Sequence, residues 1–201
     1  VALIEGSGIR PAVPLVDQVA AGIRALAPRA EVRLDEVPAP TRLATHALAF
    51  SAEVHDVDRT EIATGRLVLL HEPDGHEAWD GAFRVVTFVR ATVEPDVASD
   101  PLLPAVGWSW LLEALDGHGL LARAVGGTVT QVSNESFGVL SSQPSNAEVE
   151  IRASWTPVVT DDAVADLVEH AQAWVGLLCS AAGLAPLPDG VVALPRQRPG
   201  R

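Results

Sequence analysis

The densest cluster of chemically capable side chains is His71-Glu72-Pro73-Asp74-Gly75-His76-Glu77. Imidazole and carboxylate are the ordinary ligands of zinc and of related divalent metals. A helical zinc motif needs its two histidines four residues apart, so that both rings leave one face. Here the gap is five, and Pro73 and Gly75 break a helix. Only a hairpin loop would gather His71, Asp74 and His76 as metal ligands. The same loop would serve an enzyme working by acid–base or metal-assisted chemistry. The plain alternative is a solvated turn.

Other chemistries are missing or incomplete. The chain has no Lys and no Tyr, which removes a lysine Schiff base, a P-loop lysine and a tyrosine general acid. Cys179 is the only cysteine. It falls near the end of an expected helix, where the negative end of the dipole disfavours a thiolate, so it reads as a small core residue. Ser109 in Gly107-Trp-Ser-Trp110 matches only the first half of a nucleophile elbow and reads as helix packing. Gly126-Gly127 lacks the spacing of a phosphate loop and reads as a strand bulge or a close approach. No cofactor is expected.

Arginine and tryptophan are better candidates for binding. Arg84 and Arg90 have the same parity as Val86 and Phe88, and Arg152 lies on the polar face of another strand. Arginine on a sheet face can hold an anion bidentately. The competing expectation is pairing with Glu53, Glu94 or Glu150 across strands. Five tryptophans in a chain with four Phe is a surplus. Trp155 and Trp174 read as core. Trp79, Trp108 and Trp110 are candidates for an interface or pocket wall.

Length and charge bound the rest. The 201 residues suit one domain able to fold without a staple. A net charge of −12 argues against direct nucleic-acid binding and against an anionic membrane surface. The lone cysteine, and the lack of a signal-like or membrane-spanning apolar run, lead to the expectation of a cytoplasmic protein.

These residues need elements to position them. The spacing of Val16, Val19, Ile23 and Leu26 predicts a helix. Glu31 to Val37 alternates, but Pro38 and Pro40 make it an edge piece at best. His46–Val57, Ala63–Glu72 and Ala82–Glu94 read as strands, with Pro73, Asp74 and Gly75 as a hairpin turn. A helix follows, capped by Ser99 or Asp100, with Trp108, Leu111, Leu112 and Leu115 as its apolar stripe. Leu121–Val132 and Ala147–Thr156 read as strands. A last helix starts at a Thr160 cap and carries Val164, Leu167, Val168, Ala171, Trp174, Val175 and Leu178. The expected fold is α+β, with a largely antiparallel sheet of about five strands and three helices covering one face, in the order α-β(β)ββ-α-ββ-α. Residues 1–12 read as a flexible arm, 13–183 as the domain, and 184–201 as a Pro-rich tail.

Several segments resemble a known family. They are Gly65–Pro73, Glu77–Thr87, Asp100–Trp110, Glu150–Pro157, Leu177–Gly183 and Val191–Pro195. They look like an actinobacterial family of uncharacterised proteins, domain of unknown function 3000, over residues 14–195. The resemblance implies a cytoplasmic actinobacterial protein and carries no catalytic residues with it. The resemblance also implies genes lying near those for ribonuclease D and uroporphyrinogen decarboxylase, an association from which an accessory factor in RNA metabolism is a weaker reading. The leading expectation from the residues is a non-catalytic binding or adaptor protein for a protein partner or small ligand, with the His71–His76 loop enzyme as the alternative.

Overall fold

The computed structural model describes residues 14–142 and 146–185. The expected arm, and the expected tail beyond Ala185, lie outside the described residues. Among the described residues the chain forms six strands and four α-helices. They are α1 (Leu15–Arg24), β1 (Val32–Val37), β2 (His46–His55), β3 (Glu61–His76), β4 (Gly81–Val93), α2 (Pro95–Ala98), α3 (Leu103–Gly117), β5 (Ala122–Asn134), β6 (Asn146–Pro157) and α4 (Ala163–Ala181). The class is α+β, as expected. The strands make one antiparallel sheet in the order β1-β2-β3-β4-β6-β5.

The extra strand is β1. It pairs with β2 along its whole length, Val32 opposite Val54 through Val37 opposite Ala49. Pro38 and Pro40 follow the strand rather than interrupt it, so they leave the ladder intact. The extra helix is α2, a single turn started by Pro95 at its first position.

Two boundaries differ from expectation for physical reasons. The β3–β4 turn is not at Pro73-Asp74-Gly75. β3 runs on to His76, with its register shifted between His71 and His76 and Gly75 at φ +79°. The chain reverses through a 3₁₀ turn, Glu77–Trp79, closed by Asp80 in the left-handed region. Aspartate tolerates that region better than most residues, so the turn signal was Asp80-Gly81. The last helix is capped by Asp162, whose carboxylate accepts from the Ala165 amide at 3.1 Å. Thr160 instead donates its hydroxyl to Asp166 at 2.8 Å, ahead of the helix. Asp100 also works outside its helix: it accepts from the Leu102 amide at 2.8 Å, and α3 begins after it.

The core lies between the sheet and three helices. α4 crosses β3 and β4, with α1 toward β1 and β2 and α3 toward β5 and β6. The sheet's covered face carries Phe50, Val54, Leu67, Leu69, Val85, Val89, Ile151 and Trp155, all nearly inaccessible. α4 returns Leu167, Trp174, Leu177 and Leu178. Gly65 lets α4 approach, since a Cβ there would sit 3.1 Å from the Trp174 ring. α3 buries Leu103, Gly107, Leu111 and Leu115. This stripe shares Leu111 and Leu115 with the expected one, whereas Leu112 is exposed and Trp108 is only partly buried. No helix of the described residues is long and apolar enough to cross a membrane.

The two adjacent glycines of β5 have different reasons. A Cβ on Gly127 would lie 2.2 Å from the Arg152 carbonyl oxygen and 2.9 Å from the Trp108 ring. A Cβ on Gly126 would meet nothing within 4 Å. Gly127→Ala should therefore destabilise the protein by about 2 kcal/mol or more, since backbone must move. Gly126→Ala should stay within about 0.5 kcal/mol of the parent. Urea unfolding of the two variants side by side checks this.

Candidate functional site

The sheet's second face has no helix on it among the described residues. The ladder register brings Arg66, Val68, Val86, Phe88, Arg152 and Ser154 to that face in adjacent rows, because Val68 pairs with Val86, Arg66 with Phe88, Phe88 with Arg152 and Val86 with Ser154. Gly126 and Thr128 extend the rows onto β5. Together they line a shallow open hollow of about 580 Å3, whose floor is chiefly apolar. Val86 at its centre is 39% exposed. With no side chain on Gly126, the hollow stays open toward the sheet edge.

Four arginines of β3, β4 and β6 stand on this face, and they differ in their partners. Arg152 donates to Glu150 at 2.9 Å, and its guanidinium lies 5.2 Å from the centre of the Phe88 ring. Arg84 takes no carboxylate. It donates to the Ser154 hydroxyl at 2.6 Å, the Thr156 hydroxyl at 3.1 Å and the Ala124 carbonyl at 3.0 Å. Burial pushes this guanidinium below its ordinary value, yet arginine stays charged at any working pH. Arg66 donates to the Pro38 carbonyl at 2.8 Å. Arg90 stands opposite Glu150 in the ladder. Among the described residues only Arg152 of these four forms an ion pair. Among the described residues Arg84, Arg90 and Arg152 form no cross-strand pair with Glu53 or Glu94, the competing expectation; Glu53 pairs across strands with Arg33 instead, at 3.9 Å, and Glu150 serves Arg152 from the same strand.

The tryptophans do not form one surface. Trp79 ends the 3₁₀ turn, half-buried, its indole stacked on His76 at 4.4 Å between ring centres. Its carbonyl accepts from the Thr156 hydroxyl that also receives Arg84, so it borders the arginine face. Trp108 lies on the opposite side of the sheet, against Gly127. Trp110 faces a separate groove between α3 and α4, beside Arg29, Gly176 and Cys179. The expected binding set therefore divides. Arg84, Arg90 and Arg152 share the open face, Trp79 touches its border, and Trp108 and Trp110 are elsewhere.

His71, Asp74 and His76 are not brought together. The continuation of β3 keeps alternating the chain, so the loop that would gather them does not form. His71 is stacked between His46, at 5.6 Å, and Phe83, at 4.5 Å. Burial and then the neighbouring His46 lower its pKa, which opposes a cationic role. Glu72 accepts from the Thr45 hydroxyl at 2.6 Å and the Thr45 amide at 3.2 Å, and the hydroxyl bond holds its carboxyl below the usual range. Among the described residues no three His, Cys, Asp or Glu side chains form a metal-binding group. Burial raises the Cys179 thiol, so it stays protonated, though by burial rather than by the helix dipole. The Ser109 hydroxyl donates back to the Val106 carbonyl at 2.9 Å.

The sequence pattern of these elements matches a family model described as a protein of unknown function, DUF3000, over residues 14–192. The chain belongs to the DUF3000 family. No curated protein and no solved structure matches it. The DUF3000 match spans every element described above, so the open face and the covered core both lie within it.

Two contributors to this arrangement escaped the sequence reading. Arg66 shares the parity of Val68 on β3, a signal hidden by the apolar run Leu67–Leu70. His170 sits on the stripe with Leu167 and Trp174 and is 1% exposed. Its Nδ1 accepts from the Trp155 indole at 3.2 Å. Burial pulls its pKa down to about 4, against a smaller opposing pull from Asp166. Folding thus holds His170 neutral between pH 6.5 and about 4, where the unfolded chain takes up a proton. Its contribution is complete above pH 6.5 and is lost as pH falls toward 4. At about 1.36 kcal/mol per pH unit, the loss is about 3 kcal/mol. Chemical unfolding from pH 7.5 to 4 should show this slope in the parent, and His170→Gln should flatten it.

Proposed function

We propose that the protein is a non-catalytic binding protein that docks a protein partner on the open sheet face. The partner presents apolar side chains flanked by carboxylates. The observation that carries this reading is the hollow around Val68, Val86 and Phe88, bordered by arginines of which most have no acidic partner among the described residues. Apolar surface ringed by polar groups marks interaction sites. Arginine over an aromatic ring is a common anchor at such sites.

The shape favours a protein over a small molecule. Small-ligand sites enclose most of the ligand, whereas this hollow is shallow and open along the sheet. The charge favours an acidic segment. The hollow itself is lined by Arg66 and Arg152 and by no carboxylate, in a chain of net charge −12 whose Glu148 and Glu150 lie further along the same face. Nucleic acid is disfavoured because Phe88 is the single aromatic in the hollow and Arg152 already lies over it.

Fluorescence titration with matched Asp/Leu-rich and Lys/Leu-rich peptides tests the reading. The acidic peptide should bind at least tenfold more tightly, and weaken as salt rises. Arg66→Glu with Arg152→Glu, both exposed positions, should abolish the preference while leaving the unfolding midpoint nearly unchanged. Equal binding of both peptides, or tighter binding of single-stranded RNA, would overturn it.

A further inference from the structure

We infer that β5 is a self-pairing edge, through which two copies of this chain join their sheets antiparallel, strand β5 to strand β5. The two edges of the sheet are built differently, and the contrast carries the argument.

An edge strand exposes unpaired N–H and C=O groups and invites pairing with another chain. Proteins discourage that with short strands, charges and proline. β1 has all of these. It is six residues long, and it carries Arg33, Asp35 and Glu36. Arg33 pairs with Asp35 at 2.7 Å and Glu36 with Arg24 at 2.7 Å, and Pro38 follows. β5 has none of them over its regular part. It is thirteen residues long, and its only charge, Arg123, lies before the bulge that separates Arg123 from Gly126. From Gly126 to Asn134 the strand reads Gly-Gly-Thr-Val-Thr-Gln-Val-Ser-Asn, without charge or proline. Among the described residues no backbone group bonds to its outer edge, and its ladder runs to β6 alone.

The occupant follows from charge and from the ends of the strand. Two chains of net charge −12 repel over most of their surfaces. The uncharged β5 edge is where they can approach. Antiparallel pairing is isologous, so one edge serves as both surfaces. Pairing the regular stretch places Thr130 on the two-fold axis, with Thr128 opposite Val132 of the other copy, as β-branched pairs favour. The same direction carries Leu121 of one copy toward the Phe137–Leu140 turn of the other. Leu121 is 70% exposed, Phe137 76%, Val139 98% and Leu140 51%. These are four of the largest exposed apolar side chains, and they flank the two ends of one strand. The joined sheet would set both open hollows on one side.

Native mass spectrometry and sedimentation equilibrium on the full chain test this. The parent should populate a species of twice 21.1 kDa at micromolar concentration. Thr130→Arg puts like charges opposite each other at the axis while facing Glu150 within its own chain, and should give a monomer with an unchanged circular dichroism spectrum. Thr130→Glu should do the same, and a one-to-one mixture of the two variants should recover a dimer. Leu121→Asp, away from the ladder, should weaken the dimer at least tenfold. A parent that stays at 21.1 kDa, or a dimer indifferent to Thr130→Arg, would overturn the proposal.

Discussion

Among the described residues helices cover this sheet on one side only, and the rest of the architecture follows from that. α4 lies across the central strands and is held by fit and by one buried polar contact. Trp174 occupies the space that Gly65 leaves, and the Trp155 indole donates to His170. Each buried aromatic or leucine contributes about 2–3 kcal/mol of apolar burial. That sum outweighs keeping one imidazole neutral in the interior. Strand positions of one parity must then be apolar and tightly fitted. Positions of the other parity are released from that demand.

What the released positions hold is informative. An antiparallel sheet can face water on one side, and its outer face is then commonly polar throughout. Here the middle of that face keeps Val68, Val86 and Phe88, with arginines around them. Arg84 is fixed by Ser154, Thr156 and the Ala124 carbonyl instead of by a carboxylate. A guanidinium whose hydrogen bonds go to neutral oxygens keeps its charge uncompensated while its geometry is set. Preorganisation of this kind lowers the ordering cost of binding an anion.

Much of the fold was legible. The alternation of Val149, Ile151, Ala153 and Trp155 shows plainly because β6 is half-buried, and the stripe of α4 shows because one face meets the core. The strand β1 was undervalued because prolines just beyond a strand look, in sequence, like prolines within it. The turn at Glu77–Asp80 was missed because Pro73-Asp74-Gly75 is a stronger local turn signal, and tertiary pairing across the bulge overrides it. That one error also produced the expected His71, Asp74 and His76 grouping. The arginine face was legible in part, because parity on β4 links Arg84 with Arg90. Arg66 and Arg152 join it only through ladder register, which no single strand encodes. Trp79, Trp108 and Trp110 are similar as residues, yet Trp79 ends a 3₁₀ turn while Trp108 and Trp110 leave α3 in different directions. His170 was invisible for the opposite reason: a histidine within an apolar stripe looks like a helix surface residue until its indole partner is known.

The most direct measurement compares two neighbours on β4. Val85 faces the helices and is 2% exposed, while Val86 faces away and is 39% exposed. If the second face is bare in the free chain, Val86→Asp should lower unfolding stability by about 1 kcal/mol or less, the scale of a strand-preference change. Val85→Asp should cost about 3 kcal/mol or more, or abolish folding, because a carboxylate would be buried without a partner. Equal and large losses for both would contradict the account. They would mean that the second face is packed in the free chain and offers no surface for docking.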